Sequence, residues 1–356
     1  MDSSTNASGC GDASVSLRHE GTAAPAVLKR YVLFGFCLES SHDFRTPMTD
    51  AEPGCIPDLC FHLVRVEACR SLEAAPCLVQ SREKNREGES AVQCYAQPYG
   101  VLMRFPGVAD FLLSPREIRC ELTDPSLHYL VEICLLGHVM AYYLELSGRV
   151  ALHAGAVVGS ERAVLLAGDC AGGKSTLVAS LVEAGWPLLA DDISALEVHG
   201  DTPLCRHGFP QMKLTPEQVR RFVGEVGDLP RVHPAFEKLS VPAASVGSVV
   251  STALPVAAIF LLERRAAQGA VSIEPISPGE ALIQLVRHSF LAQLLADHAE
   301  CRLLGQGGHG GTLQASRFHL LSRIAGTVPV RRLCYPSGYQ YLPALHRALE
   351  DDLPSR

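Results

Sequence analysis

The stretch AVLLAGDCAGGKSTLVASLVEAGWPLLADD, residues 163–192, constrains this chain more than any other. Gly168, Gly173, Lys174 and Ser175 fall at the spacing G-x-x-x-x-G-K-S. The apolar run before them, 163–167, has no helical period and reads as a buried strand. Residues 175–184 then read as a helix that stops at Gly185. Strand, Gly-rich turn and helix in that order make a phosphate-binding loop of the Walker A type. Gly172 and Gly173 carry no Cβ, so the backbone can wrap closely around a phosphate. Successive N–H groups and the helix N-terminus then face the anion. In such a loop Lys174 reaches the β- and γ-phosphates and the Ser175 hydroxyl ligates Mg²⁺.

Two further pieces flank the loop. WPLLADD reads as a second buried strand over 187–190 that ends in Asp191 and Asp192. In open α/β sheets, carboxylates at the C-terminal end of a parallel strand lie beside the ligand site. One carboxylate would hold a metal and one would accept a proton; residue type alone does not separate them. Upstream, RVALHAGAVV (149–158) reads as a strand that turns near 159–162 and pairs with the strand of the loop. His153 interrupts it. A strand histidine can be a satisfied core residue, but this one precedes a nucleotide motif.

LHAGAV, GDCAGGKST and LLADD, in that order and at these separations, resemble the HPr kinase/phosphorylase superfamily. The resemblance spans about 149–343 and is carried by the three motifs. It implies an α/β fold with a P-loop kinase domain of HPr-kinase-like type, the cofactors ATP and Mg²⁺, and phosphoryl transfer to a serine hydroxyl. It also implies the site. Gly168, Asp169, Cys170, Ala171, Gly172, Gly173, Lys174, Ser175 and Thr176 would bind the nucleotide, and Lys174 would also act in catalysis. Asp191 would take the proton of the attacking hydroxyl, oriented or tuned by His153. Asp192 would ligate the metal together with Ser175. The family carries basic residues after its double Asp, which makes Arg206, Lys213 and Lys238 candidates for holding the transferred phosphate or the acceptor. The nearer similarity is to HPr-kinase-like proteins of ribosomal-peptide pathways, some similar to kinases of the C-terminal serine of lasso-peptide precursors. A peptide or small-protein acceptor is the corresponding expectation. Residues 230–250 depart from the phosphorylase signature region.

The chain of 356 residues is long enough for two domains. The expected division is a tail at 1–28, a small β-rich domain at 29–148 that ends in a helix, and the P-loop domain at 149–356. The chain is 47% hydrophobic and 19% charged, an ordinary globular composition. A net charge of −7 and a pI near 6.1 give no reason to expect nucleic-acid or anionic-membrane binding. The 13 cysteines are odd in number and include no C-x-x-C pair, so reduced thiols in a cytoplasmic protein are expected. The start is polar, without an apolar stretch of signal-peptide type. The apolar helix expected at 130–146 holds Glu132, His138 and Glu145 and reads as too short and polar to span a bilayer.

In the first region YVLFGFCLES reads as one strand, and short strands broken by Gly and Pro suggest an antiparallel sheet. After Asp192 the pattern gives strand, turn and strand, then a helix capped by Thr215 with Pro216 first. A buried strand over 254–265, a helix opening at Ser277 with helices to about 304, a helix over 316–326, a strand over 328–336 and a terminal helix follow. His309, in GQGGHGG, has no ligand-spaced partner and is assigned nothing. Two rival readings remain: a nucleotide-dependent switch or binding module, and a kinase of a small hydroxylated metabolite. Self-association is left open.

Overall fold

The computed structural model describes residues 27–72, 74–170, 172–265, 269–304 and 311–353. The architecture is mixed α/β, with two large sheets of nine strands each. The first sheet comprises β1 (Lys29–Leu33), β2 (Phe36–Ser40), β3 (Thr49–Asp50), β4 (Leu59–Arg65), β5 (Cys77–Gln80), β6 (Gln93–Gln97), β7 (Gly100–Phe105), β8 (Ala109–Ser114) and β9 (Glu117–Leu122). Their order is β3-β1-β2-β4-β9-β8-β7-β6-β5. This sheet is not purely antiparallel, as the sequence suggested, because β2–β4 and β4–β9 pair in parallel. Apolar alternation reports which face of a strand is buried, not the direction of its neighbour. YVLFGFCLES is also two strands rather than one. Phe34 (φ 51°) and Gly35 (φ 82°) form a two-residue turn between them, the left-handed geometry that matches strand twist in a tight hairpin.

Helix α1 (Pro125–Leu146) follows, started by Asp124, whose carboxylate accepts from the Ser126 N–H at 2.8 Å. It is 22 residues long, so by length and composition it could cross a membrane, contrary to the expectation that its apolar part is too short and polar to do so. Its apolarity is used inside the protein: Val131, Leu135, Val139, Met140, Leu144 and Leu146 are buried in the first hydrophobic core. Its middle, Leu135–Val139, is a π-type turn broken at Gly137 (φ −103°, ψ −107°). Glu132 accepts from the N–H groups of Arg45 and Thr46 at 2.9 and 2.6 Å, so its burial is compensated.

The remaining elements are β10 (Val150–Leu152), β11 (Ala154–Gly159), β12 (Arg162–Ala167), α2 (Lys174–Glu183), β13 (Leu188–Ala190), β14 (Ser194–His199), β15 (Thr202–Arg206), β16 (Gln211–Leu214), α3 (Pro216–Phe222), β17 (Leu239–Pro242), β18 (Leu254–Arg265), β19 (Ser272–Pro275), α4 (Pro278–Arg287), α5 (Ala292–Ala296), α6 (Leu313–Thr327), β20 (Val330–Pro336) and α7 (Leu342–Asp352). Strands β12, β18 and β20 run parallel and side by side. On the other edge of β12 lies antiparallel β11, joined to it through Ser160 (φ 49°) and Glu161 (φ 62°), and β13 pairs with β11. The turn falls where the sequence placed it. Because β11 is antiparallel to both neighbours, β13 points the same way as β12, and Asp191 follows its C-terminal end. The predicted Thr215 cap is a full capping box with Gln218. The helical stretch that opens at Ser277 ends at Ala296, earlier than the sequence suggested.

The first core is not confined to residues before Arg149: Ala151, Ile193, Ala195, Phe209 and Leu313 belong to it. Arg149 and Arg206 both ion-pair with Glu197, and the Arg149 guanidinium lies 4.1 Å from the centre of the Phe36 ring. Among the described residues every cysteine is free.

Candidate phosphate-loop site

Strand β12 delivers the chain into the loop and α2 begins at Lys174. Gly173 has φ 95°, a left-handed conformation that favours glycine. A Cβ there would lie 2.6 Å from the Tyr335 hydroxyl and 2.9 Å from the Arg264 guanidinium. A Cβ at Gly172 would meet the Asp169 carbonyl at 2.8 Å. The Tyr335 hydroxyl donates to the Gly172 carbonyl at 2.7 Å and so braces the loop from β20. Lys174 is 7% exposed, and among the described residues its ammonium has only a long contact, 3.4 Å, to the His153 carbonyl. Burial lowers its pKa, against the pull of Asp192 and Asp191. A buried cation so weakly partnered beside a glycine cradle is the arrangement an anion would complete.

The acid pair sits at a strained corner. Asp192 has φ 69°, and the Ile193 N–H donates back to the Asp191 carbonyl at 2.8 Å, closing a three-residue turn around it. The turn separates the two carboxylates. Asp191 is buried and accepts from the Lys213 backbone N–H at 2.9 Å. Burial, helped by the charge of Asp192, raises its pKa. Asp192 is met by the Lys213 ammonium at 2.5 Å and by His153 Nδ1 at 3.3 Å. Burial alone would push its carboxyl up, but Lys213, His153 and Lys174 outweigh it and hold it at about 2. The two aspartates are therefore shifted in opposite directions although they are adjacent in sequence.

His153 sits in the break between β10 and β11, where its N–H donates to the His288 carbonyl at 2.8 Å. Its Nδ1 lies 3.2 Å from the Asp192 carbonyl and its ring meets Phe290 edge-on at 5.7 Å. The expectation that His153 orients Asp191 is corrected: the ring contacts Asp192, because the turn swings that residue, not the other, toward β11. Burial, then the nearby Lys174 cation, lowers the His153 pKa to about 4, so the ring is neutral at pH 7. The consequence for stability has a definite sign. The unfolded ring binds a proton below its ordinary value of 6.5 and the folded ring resists it, so stability falls as pH drops from 6.5 towards 4. His153→Gln should flatten that slope in a series of thermal melts. Equal slopes in parent and variant would show that the ring titrates normally.

Cavity and loop coincide. A cleft of about 630 Å³ is lined by Asp169, Cys170 and Gly172 to Thr176, and also by His153, Asp191, Asp192, Lys213 and Lys238. Gly168 closes against Leu262 at the end of β12. Ala171 lies outside the described residues, as do residues 1–26 and His309. Arg206 is corrected: it is taken up by Glu197 on β14 and packs over Gly35, away from the loop. Asp169 points outward to Arg287 at 2.8 Å. The sequence reading missed Arg264, Tyr335 and Gln218. Gln218 donates to the Thr176 hydroxyl at 2.7 Å. The only signal for the first two was the parallel order of β12, β18 and β20, which brings strand ends far apart in sequence to one edge of the cleft.

Comparison with solved structures returns an Hpr(Ser) kinase/phosphatase from Coxiella burnetii, 13% identical, with a TM-score of 0.30, covering 56% of this chain and 94% of that chain. A likeness of that size does not carry the chemistry of the site. No family model matches the chain, and no curated protein matches it.

Proposed function

We propose that the chain is an ATP-dependent kinase of HPr-kinase-like type, acting in the cytoplasm on a serine hydroxyl of a peptide or small protein. The observation that carries this reading is one cleft wall: a glycine loop, a weakly partnered Lys174, and two aspartates whose proton affinities are driven apart. Phosphoryl transfer needs positioning and charge neutralisation more than covalent chemistry. The loop amides and Lys174 would hold the triphosphate. Asp191, the stronger base, would accept the proton of the attacking hydroxyl at its carboxylate. Asp192, kept ionised, and Ser175 suit Mg²⁺, which when bound neutralises phosphate oxygens. Among the described residues no cluster of three or more His, Cys, Asp or Glu is suited to a metal. Mg²⁺ shared with a nucleotide needs no such cage. Lys213 and Lys238, which line the cleft, would hold the transferred phosphate.

The reading is tested by incubating the protein with Mg²⁺, ATP, free serine and serine-ending peptides, followed by mass measurement. ADP with a phosphopeptide is the expected result. Phosphoserine alone would replace the peptide kinase with a metabolite kinase. ADP with free phosphate would make it an ATPase, and binding without turnover would make it a switch.

A further inference from the structure

Lys213 borders two hollows. On one side is the loop cleft; on the other is a groove of about 270 Å³ between α1, the segment 43–46 and the segment 230–234. The break in α1 at Gly137 forms part of its wall, and breaks of this kind recur at functional sites. Gln211, two residues before Lys213 on β16 and so on the same face, also lines it. Gln211 is 5% exposed, yet its side-chain oxygen has no hydrogen-bond partner among the described residues.

The charge of this groove is uneven in a specific way. Its acids are already engaged: Asp43 pairs with Lys29 at 2.9 Å, and Glu132 is held by the Arg45 and Thr46 N–H groups. Of its cations, Lys213 is engaged by Asp192, but the two arginines are not. Arg45 and Arg231 are exposed, and among the described residues neither guanidinium has a carboxylate within ion-pairing distance. A guanidinium fork with no partner, in a groove, matches a planar carboxylate.

Resting on the kinase reading of the loop, we infer that this groove seats the acceptor. The acceptor is an acidic peptide, whose carboxylate a short distance from the hydroxyl is held by Arg45 and Arg231 while the hydroxyl reaches past Lys213 to the aspartates. The groove is then a specificity site, separate from the residues that hold the nucleotide.

The test separates the two readings by measuring peptide and nucleotide binding independently. A fluorescent Ala-Gly-Glu-Ser peptide with a free C-terminal carboxylate is titrated into the full chain without ATP, against neutral Ala-Gly-Gln-Ser amide. MgATP binding is measured in parallel on the same proteins. The acidic peptide should bind about tenfold or more tightly than the neutral one, and rising salt should erase the difference. Arg45→Glu with Arg231→Glu should abolish the preference, and Arg45→Lys with Arg231→Lys should keep much of it. MgATP binding should be the same in all three proteins. Equal affinity for both peptides, or a preference that survives the double charge reversal, overturns the groove assignment whatever the nucleotide does. Loss of MgATP binding by the parent overturns the loop reading instead. Both arginines are exposed and, among the described residues, without an ion-pair partner, so the variants should melt like the parent; the lysine variant guards against a general loss of fold.

Discussion

Replacing Lys174 with alanine is expected to reduce phosphoryl transfer by about 10³-fold or more, the scale of removing a charge aimed at the transferring group. The fold should survive. Lys174 is almost wholly buried but among the described residues its ammonium has a single long hydrogen bond, to a backbone carbonyl, and burial works against its charge. Removing it therefore relieves a desolvation cost, and because the side chain lines the open cleft the melting temperature should hold or rise. Nucleotide binding should weaken in parallel with turnover. Turnover near that of the parent would sink the phosphate-loop reading outright.

Asp191→Asn is the second large effect. The rate should fall by roughly 10²–10⁴, the range for a lost general base, with MgATP binding largely retained. The prediction follows from the separation of the two carboxylates. Asp191 is buried and held by a backbone N–H, and it keeps a raised proton affinity. Asp192 is held ionised by Lys213 and its neighbours. Asp192→Asn should accordingly weaken the dependence on Mg²⁺ more than Asp191→Asn does. A magnesium titration on both variants decides the matter: the opposite ranking would exchange the two roles.

The loop was legible in the sequence because strand, turn and helix are consecutive, and each announces itself within a few residues. The hairpin through Ser160 and Glu161 and the Thr215 cap were legible for the same reason. What was hidden depends on elements distant in sequence. Tyr335 and Arg264 reach the loop only because β18 and β20 lie beside β12, and no local pattern marks them. Arg206 looked available because its partner, Glu197, lies across a hairpin on β14. Phe34–Gly35 escaped notice as a turn because apolar residues surround it on both sides. The preference of His153 for Asp192 over Asp191 follows from a single positive φ at Asp192, which a sequence of two identical residues cannot announce.

The short segment that brackets the acid pair, 188–193, touches all three hydrophobic cores. Leu188 belongs to the second, Leu189 and Ala190 to the third, and Ile193 to the first. The loop helix α2, by contrast, packs in the second core alone through Leu177, Val178, Leu181 and Val182. The glycine loop and the acid pair thus rest on different foundations. A fragment cut to start at Arg149 would remove most members of the first core, to which Ile193 belongs, and none of the second, in which α2 packs. On the proposed reading, such a fragment would keep the support of the phosphate loop while the acid pair loses part of its own, so the amino-terminal sheet would serve the reaction without contributing a reacting group.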